Sequence, residues 1–242
     1  MESKDRITIR QDVETYMSDL KKWLKDTEDT VLEDMDSFFT QRIDGYEEHM
    51  SVWKKAYGRF ADLLPKWCTN IVDLGCGTGL ELDEIWKRNP GISVTGVDLS
   101  RRMLDELARK HPDKKLKTVC ADYFQYEFGE DCHDGVISFE SLHHFAPRKK
   151  QELYRKIYKG LGPGGVFLLG DYIACCEEEE RLLRDACRMK RRRERIPEET
   201  FVHFDTPLTL EHELGLLAGA GFGKAEVVEC VEGATIIRMC KG

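Results

Sequence analysis

Ile71-Val72-Asp73-Leu74-Gly75-Cys76-Gly77-Thr78-Gly79 is the stretch whose reading decides the fold. A short apolar run ends in a carboxylate, and a glycine follows at every second position. Behind it Leu80, Leu82, Ile85 and Trp86 recur at helical spacing, with Glu81, Asp83 and Glu84 in the first turns. The pattern predicts a buried strand, a tight turn and a helix N-terminus. Glycine has no Cβ, so the turn can take positive φ and a ligand can approach the backbone closely. A glycine turn before a helix commonly attracts a phosphate. Here the spacing is G-x-G-x-G, not the G-x-G-x-x-G of dinucleotide binders or the G-x-x-x-x-G-K-S/T of phosphate loops. Asp73 at the strand end would repel a pyrophosphate and suits a ligand that carries an ammonium group. A cationic amino-acid head with a nucleoside tail fits that description.

The chain outward from this stretch alternates strands and helices. Ile92–Val97 reads as the second strand and ends at Asp98-Leu99-Ser100; Ser100 is placed to cap a helix carrying Met103, Leu104 and Leu107. An acid at the end of the second strand is the residue that accepts both hydroxyls of a bound ribose. Leu116–Cys120 is a third strand before Asp122-Tyr123, Asp134–Phe139 a fourth, and Val166–Tyr172 a fifth. A helix from about Glu177 has acids at its start and bases at its end, so Met189–Arg195 is expected to be a solvated helix end. Ala225–Glu229 and Ala234–Met239 alternate like a closing hairpin.

Upstream, two helical stripes cover residues 11–30 (Val13, Tyr16, Met17, Leu20, Trp23, Leu24) and Val31–Trp53, with a break expected at Gly45. They precede the first strand and so lie outside the doubly wound core. Either they pack on the sheet, or the second closes over the ligand. The expected division is a helical extension over residues 1–60 and a ligand-binding domain over 61–242.

Composition narrows the function. The 242 residues carry a net charge of −8, which disfavours a large polyanionic partner such as nucleic acid. Nine cysteines with no C-x-x-C pair read as reduced thiols of a cytoplasmic protein, not a disulfide frame or zinc site. No apolar signal region follows Met1–Asp5, and no apolar run reaches the roughly 18 residues of a membrane span. The sequence carries no signal for oligomeric state.

The opening nonapeptide resembles motif I of the class I S-adenosylmethionine (SAM)-dependent methyltransferases, V/I-L-D-L/V-G-C-G-T-G. Asp134–Phe145, ending Leu142-His143-His144-Phe145, is similar to their motif IV, and Leu161–Gly165 to their L-x-P-G-G turn. Phe39–Met50 and the His203–Pro207 segment resemble a group of small bacterial members. The resemblance covers roughly residues 38–240. It implies an α/β, doubly wound, mostly parallel seven-stranded Rossmann-like sheet in the order 3-2-1-4-5-7-6, with the seventh strand antiparallel and an α-helical N-terminal extension. It implies SAM as cofactor and S-adenosyl-L-homocysteine as product. The residues expected at the cofactor are Tyr46, Asp73, Gly75, Gly77, Asp98, Leu99, Met103, Asp122, Tyr123 and Phe139, with Asp122 accepting from the adenine amino group and Tyr46 and Phe139 facing the sulfonium.

The acceptor side is read from the histidines. His143, beside motif IV, is the leading candidate base, with His203 and His144 behind it and Asp205 and Tyr172 as weaker substrate-side candidates. A small-molecule acceptor is expected. Motif IV lacks the D/N-P-P-Y/F of enzymes that methylate exocyclic amines of bases, and no acidic cluster marks a metal site. The alternatives are a nucleic-acid or protein methyltransferase, a SAM-binding protein without catalysis, and a nicotinamide-dependent oxidoreductase.

Overall fold

The computed structural model describes residues 9–242. The Met1–Asp5 reading, and the first eight residues of the expected extension, lie outside them. Strands β1 (Glu33–Asp34), β2 (Asn70–Leu74), β3 (Ser93–Asp98), β4 (Leu116–Cys120), β5 (His133–Phe139), β6 (Leu161–Tyr172), β7 (Val202–His203), β8 (Ala225–Val231) and β9 (Ala234–Cys240) alternate with eight α-helices. These are α1 (Val13–Asp26), α2 (Met35–Met50), α3 (Lys54–Leu63), α4 (Leu80–Arg88), α5 (Arg101–Lys110), α6 (Pro147–Gly160), α7 (Glu177–Glu194) and α8 (Leu210–Gly219).

Seven strands form one sheet in the order β4-β3-β2-β5-β6-β9-β8. The pairs from β4 to β6 are parallel, and β9 runs antiparallel to both of its neighbours. This is the expected 3-2-1-4-5-7-6 order. Sequence alternation explains why both faces are covered. Val72, Val136, Phe167, Leu169 and Ile237 point into one core, sealed by α6 and α8. Ile71, Ile137, Leu168 and Ile236 point into the other, sealed by α3, α4 and α5. A strand buried on both faces reads as a continuous apolar run, as Ile71-Val72 and Val166–Leu169 do.

The strand order reverses direction at β2. The chain moves outward through β3 and β4, then returns to the other side of β2 as β5. The crevice beyond the C-terminal ends of β2 and β5 is therefore the place where open α/β sheets bind ligands.

The N-terminal elements depart from the sequence reading in four ways. First, α2 runs unbroken through Gly45, which is exposed and meets nothing that a break would relieve. Second, α1 packs on α7 and meets the sheet at the end of β6, where the Tyr16 and Tyr172 hydroxyls lie 2.7 Å apart. Met17 and Leu20 pack against Leu183 and Cys187 of α7 and against Phe204, while Trp23 stays 47% exposed. Third, the basic end of α7 is not simply solvated. Lys190 is buried and donates to the carbonyls of Thr27 (2.5 Å), Glu28 (3.1 Å) and Thr30 (2.8 Å). The carbonyls just past the end of α1 need donors, and the lysine supplies them. Fourth, the two-residue strand β1 pairs with β7, Glu33 opposite His203. That short pairing ties the start of α2 to the His203 segment across 170 residues of chain (203 minus 33).

Candidate active site

A cavity of about 1230 Å³ lies at the C-terminal ends of the central strands, under α2. Its walls divide into a glycine-loop side and a histidine side.

The glycine loop leaves β2 with Gly75, Gly77 and Gly79 all at positive φ (72°, 48° and 76°). At Gly75 a Cβ would stand 2.0 Å from Ser141 Oγ, so the loop after β5 can cross only over a glycine. At Gly77 a Cβ would point at the Tyr46 hydroxyl from 3.4 Å, filling the gap between loop and helix. Asp98, at the end of β3, holds this loop in place. Its Oδ2 accepts from Gly77 N and its Oδ1 from Ser100 N, both at 2.8 Å. Burial raises the Asp98 pKa, and the two N–H donors oppose that rise. Ser100 does not cap α5 with its side chain. Its hydroxyl meets Thr40 Oγ1 of α2 at 2.9 Å instead, linking the covering helix to the β3 end.

Beneath the loop Asp73 is fully buried, and neither carboxylate oxygen has a hydrogen-bond partner among the described residues. Burial, then the neighbouring Glu81 carboxylate, holds the Asp73 pKa well above the usual range. Burial likewise pushes Glu81 up to about 7. Two facing carboxylates with no cation between them retain a proton. Asp73 does not itself line the cavity; Gly75 and Gly77 do.

Of the other residues expected at the cofactor, Tyr46, Asp98, Leu99, Met103, Tyr123 and Phe139 line the cavity. Asp122 does not: its Oδ1 accepts from Phe124 N at 2.8 Å and closes the turn after β4. The Tyr123 hydroxyl reaches Ser141, and its ring packs among Phe124 and Phe145.

On the opposite wall, a 3₁₀ turn (Leu142–His144) follows β5 and presents two imidazoles. His143 is 5% exposed. Its Nδ1 donates to Asp171 Oδ1 at 2.7 Å, and its Nε2 lies 3.5 Å from Asp205 Oδ1. Burial lowers the His143 pKa, but the Asp171 and Asp205 carboxylates outweigh it, and the net shift is well upward. Burial raises Asp205, and the two imidazoles bring it well below the usual carboxylate range. His144 Nδ1 is 3.2 Å from the same Asp205 oxygen, at an angle that makes no hydrogen bond. His203 stacks on Phe38 with ring centroids 3.5 Å apart. Burial first, and the neighbouring His144 next, lowers it to about 4. The Asp205 loop is pinned by Thr206, whose N–H donates to His143 O at 2.9 Å.

The structure thus brings His143, His144, His203, Asp205 and Tyr172 onto one wall. Sequence reasoning missed Glu140 and Asp171. Asp171 reads as the polar end of a strand, and only the pairing of β5 with β6 puts it beside His143. Behind it Lys150 Nζ lies 3.9 Å from Asp171 Oδ2 and 2.5 Å from Glu213 Oε2, and Tyr154 also donates to Glu213. All four groups are essentially buried.

Residues 71–165 match a family model described as a methyltransferase domain. Phosphoethanolamine N-methyltransferase 2 of Caenorhabditis elegans is 33% identical over 131 residues, 53% of this chain and 28% of that protein. Carboxy-S-adenosyl-L-methionine synthase of Desulfotalea psychrophila is 34% identical over 108 residues, 42% of this chain and 43% of that protein. The chain therefore spans less than half the length of either. Among solved structures, human N-acetylserotonin methyltransferase in complex with SAM superposes with a TM-score of 0.61 at 22% identity, over 86% of this chain and 56% of that one. An O-methyltransferase family 2 protein from Planctomyces limnophilus, in complex with apigenin, gives 0.62 at 19%, over 87% and 62%. At these identities the structural likeness speaks for the fold.

Proposed function

We propose, from the premise that this chain belongs to the class I SAM-dependent methyltransferases, that it transfers a methyl group from SAM to a small-molecule acceptor held against the histidine wall. The observation that carries this reading is the shared cavity: the glycine loop with Asp98 forms one wall, and His143 with Asp205 forms the other.

The chain's residues fit the cofactor. Both oxygens of the buried Asp73 lack a partner among the described residues, as an acceptor for an amino-acid ammonium should. The space over Gly77 would be filled by any side chain. Asp98 keeps a free lone pair on each oxygen beside its two backbone bonds, so it can accept from ribose hydroxyls. Leu99, Met103 and Tyr123 offer apolar surface for a base, and the Tyr46 and Phe139 rings favour a cation at their faces. Bound SAM supplies a methyl group already activated as a sulfonium.

What remains for the protein is alignment, exclusion of water and removal of a proton. Phe39 and Tyr46 of α2 cover the cavity and keep water from the acceptor. On the acceptor side His143 takes the proton at Nε2. Asp171 fixes its tautomer by accepting from Nδ1–H, which leaves Nε2 as the free position. His203, held neutral, borders the acceptor and shapes its pocket.

Incubation with methyl-labelled SAM and a cell extract split into small-molecule, nucleic-acid and protein fractions tests the reading. Label is expected in the small-molecule fraction; label confined to a macromolecular fraction contradicts it.

A further inference from the structure

The proposal starts from Glu140, the residue that follows β5. Its backbone sits in the left-handed region (φ 48°), which a glutamate adopts only when its surroundings hold it there. Its side chain is 10% exposed and lines the cavity. Oε1 has no hydrogen-bond partner among the described residues, and Oε2 lies 3.8 Å from His143 Nδ1, too far for a bond. His143 Nδ1 is already committed to Asp171. A buried carboxylate oxygen without a donor is costly, so the group awaits one.

The neighbourhood explains why the protein provides none. Four carboxylates gather here, Glu140, Asp171, Asp205 and Glu213, against one lysine, Lys150, and the imidazole of His143. Lys150 is spent on Glu213, and His143 is shared between Asp171 and Asp205. Of the two acids that border the cavity, Asp205 has the imidazoles of His143 and His144 beside it, and Glu140 is the one left with an unpartnered oxygen. The arginines on the cavity wall do not correct this. Arg42 makes a two-pronged bond to Glu33, and Arg10 lies over the Tyr16 ring. Around the acids the wall is aromatic, with Phe139 and Tyr172 nearby.

We infer that Glu140 and Asp205 form a subsite for a protonated amine, so that the acceptor is a small organic amine and the methyl group goes to nitrogen. An ammonium offers three donors on one compact charge and so can supply the donor that the Glu140 oxygen lacks, beside the Asp205 carboxylate on the same wall. A neutral hydroxyl offers one donor and no charge, and it leaves the deficit in place. Burial pushes the unliganded Glu140 carboxyl up to about 8; His143 opposes the rise, and the Asp171 and Asp205 carboxylates add to it. The inference rests on the methyltransferase reading above and names its substrate class. The bound ammonium gives one proton to neutral His143. The nitrogen lone pair then forms the new N–C bond as the sulfonium S–C bond breaks, and that bond's electron pair stays on sulfur. The positive charge passes from sulfur to the methylated nitrogen.

The test uses the whole chain loaded with S-adenosyl-L-homocysteine and two probes of one carbon skeleton, 2-phenylethylamine and 2-phenylethanol, in calorimetric titrations at pH 7. The amine is expected to bind about tenfold or more tightly than the alcohol, the lower end of what a hydrogen bond to a charged group contributes. Glu140→Gln and Asp205→Asn should each reduce that preference at least severalfold, with S-adenosyl-L-homocysteine affinity unchanged. Asp205 is 43% exposed at its side chain, so its variant does not depend on a core position. Equal affinity for the two probes, or a preference that survives both substitutions, overturns the inference while leaving the methyltransferase reading intact. Failure to bind S-adenosyl-L-homocysteine overturns both.

Discussion

Asp171 Oδ1 receives the His143 Nδ1 proton at 2.7 Å, from a position on β6 that has no exposed surface. The bond joins the ends of two neighbouring strands and leaves Nε2 of the imidazole facing the cavity. It makes the strand pairing of β5 with β6 a determinant of the site as well as of the fold.

Asp171→Asn tests this relationship. The amide keeps the shape but removes the charge, so the His143 pKa falls from its raised position towards the ordinary 6.5. Turnover that requires neutral His143 rises with pH through that pKa, and in the variant the rise should begin at lower pH. A fall in the plateau rate of roughly 10²–10⁴-fold is expected where the tautomer is lost. An unchanged pH profile of kcat would remove His143 from proton transfer. Stability carries the matching signature. A folded-state pKa above the unfolded value means the His143 pairing contributes fully below about pH 6.5 and fades as pH rises through the raised value. Urea midpoints across that range should show this decline in the parent chain and a weaker one in the variant.

Lys150 and Glu213 make a buried pair behind the site. Lys150→Met leaves Glu213 without its cation and should cost about 3–5 kcal/mol, the usual penalty for breaking a buried ion pair from one side. Adding Glu213→Gln should return part of that loss. Urea unfolding of the single and double variants checks it, and additive losses would show that the two side chains do not depend on each other.

The covering helix offers a third test. α2 is held over the cavity by few buried contacts: only Met35 among its residues is fully buried, with the Thr40–Ser100 bond and the β1–β7 pairing in support. Ligand bound beneath it should slow proteolysis within residues 30–60 severalfold. Limited digestion with and without SAM measures this, and equal rates in that segment would make α2 ordinary packing.

The sheet and its glycine loop were legible because their signals are local. The alternating apolar runs of β2, β5 and β6, the glycines before α4 and the acid at the end of β3 each announce themselves within about ten residues. The histidine wall was half legible. His143, His203 and Asp205 stood out by type and position, whereas Glu140 and Asp171 became visible only through β5–β6 register and the crossing of the Thr206 loop. The N-terminal helices were legible as helices but not in their docking. An apolar stripe says that a face is buried and does not say against what. Thus α1 went to α7, and the lysine that looked solvated became the cap for the carbonyls beyond its end. Gly45 misled because an exposed glycine weakens a helix by only about 1 kcal/mol, which neighbouring turns can absorb.

Calorimetric titration of SAM into the parent chain and into Asp98→Ala bears most directly on the central claim, that the cavity beyond β2 and β3 binds this cofactor. Asp98 anchors Gly77 and is placed to accept ribose hydroxyls through a charge. The parent chain should bind SAM at a single site, and Asp98→Ala should weaken that binding by about 1.5–3 kcal/mol, the worth of hydrogen bonds to a charged group. Absence of binding by the parent chain, or equal affinity in the two proteins, would contradict the assignment.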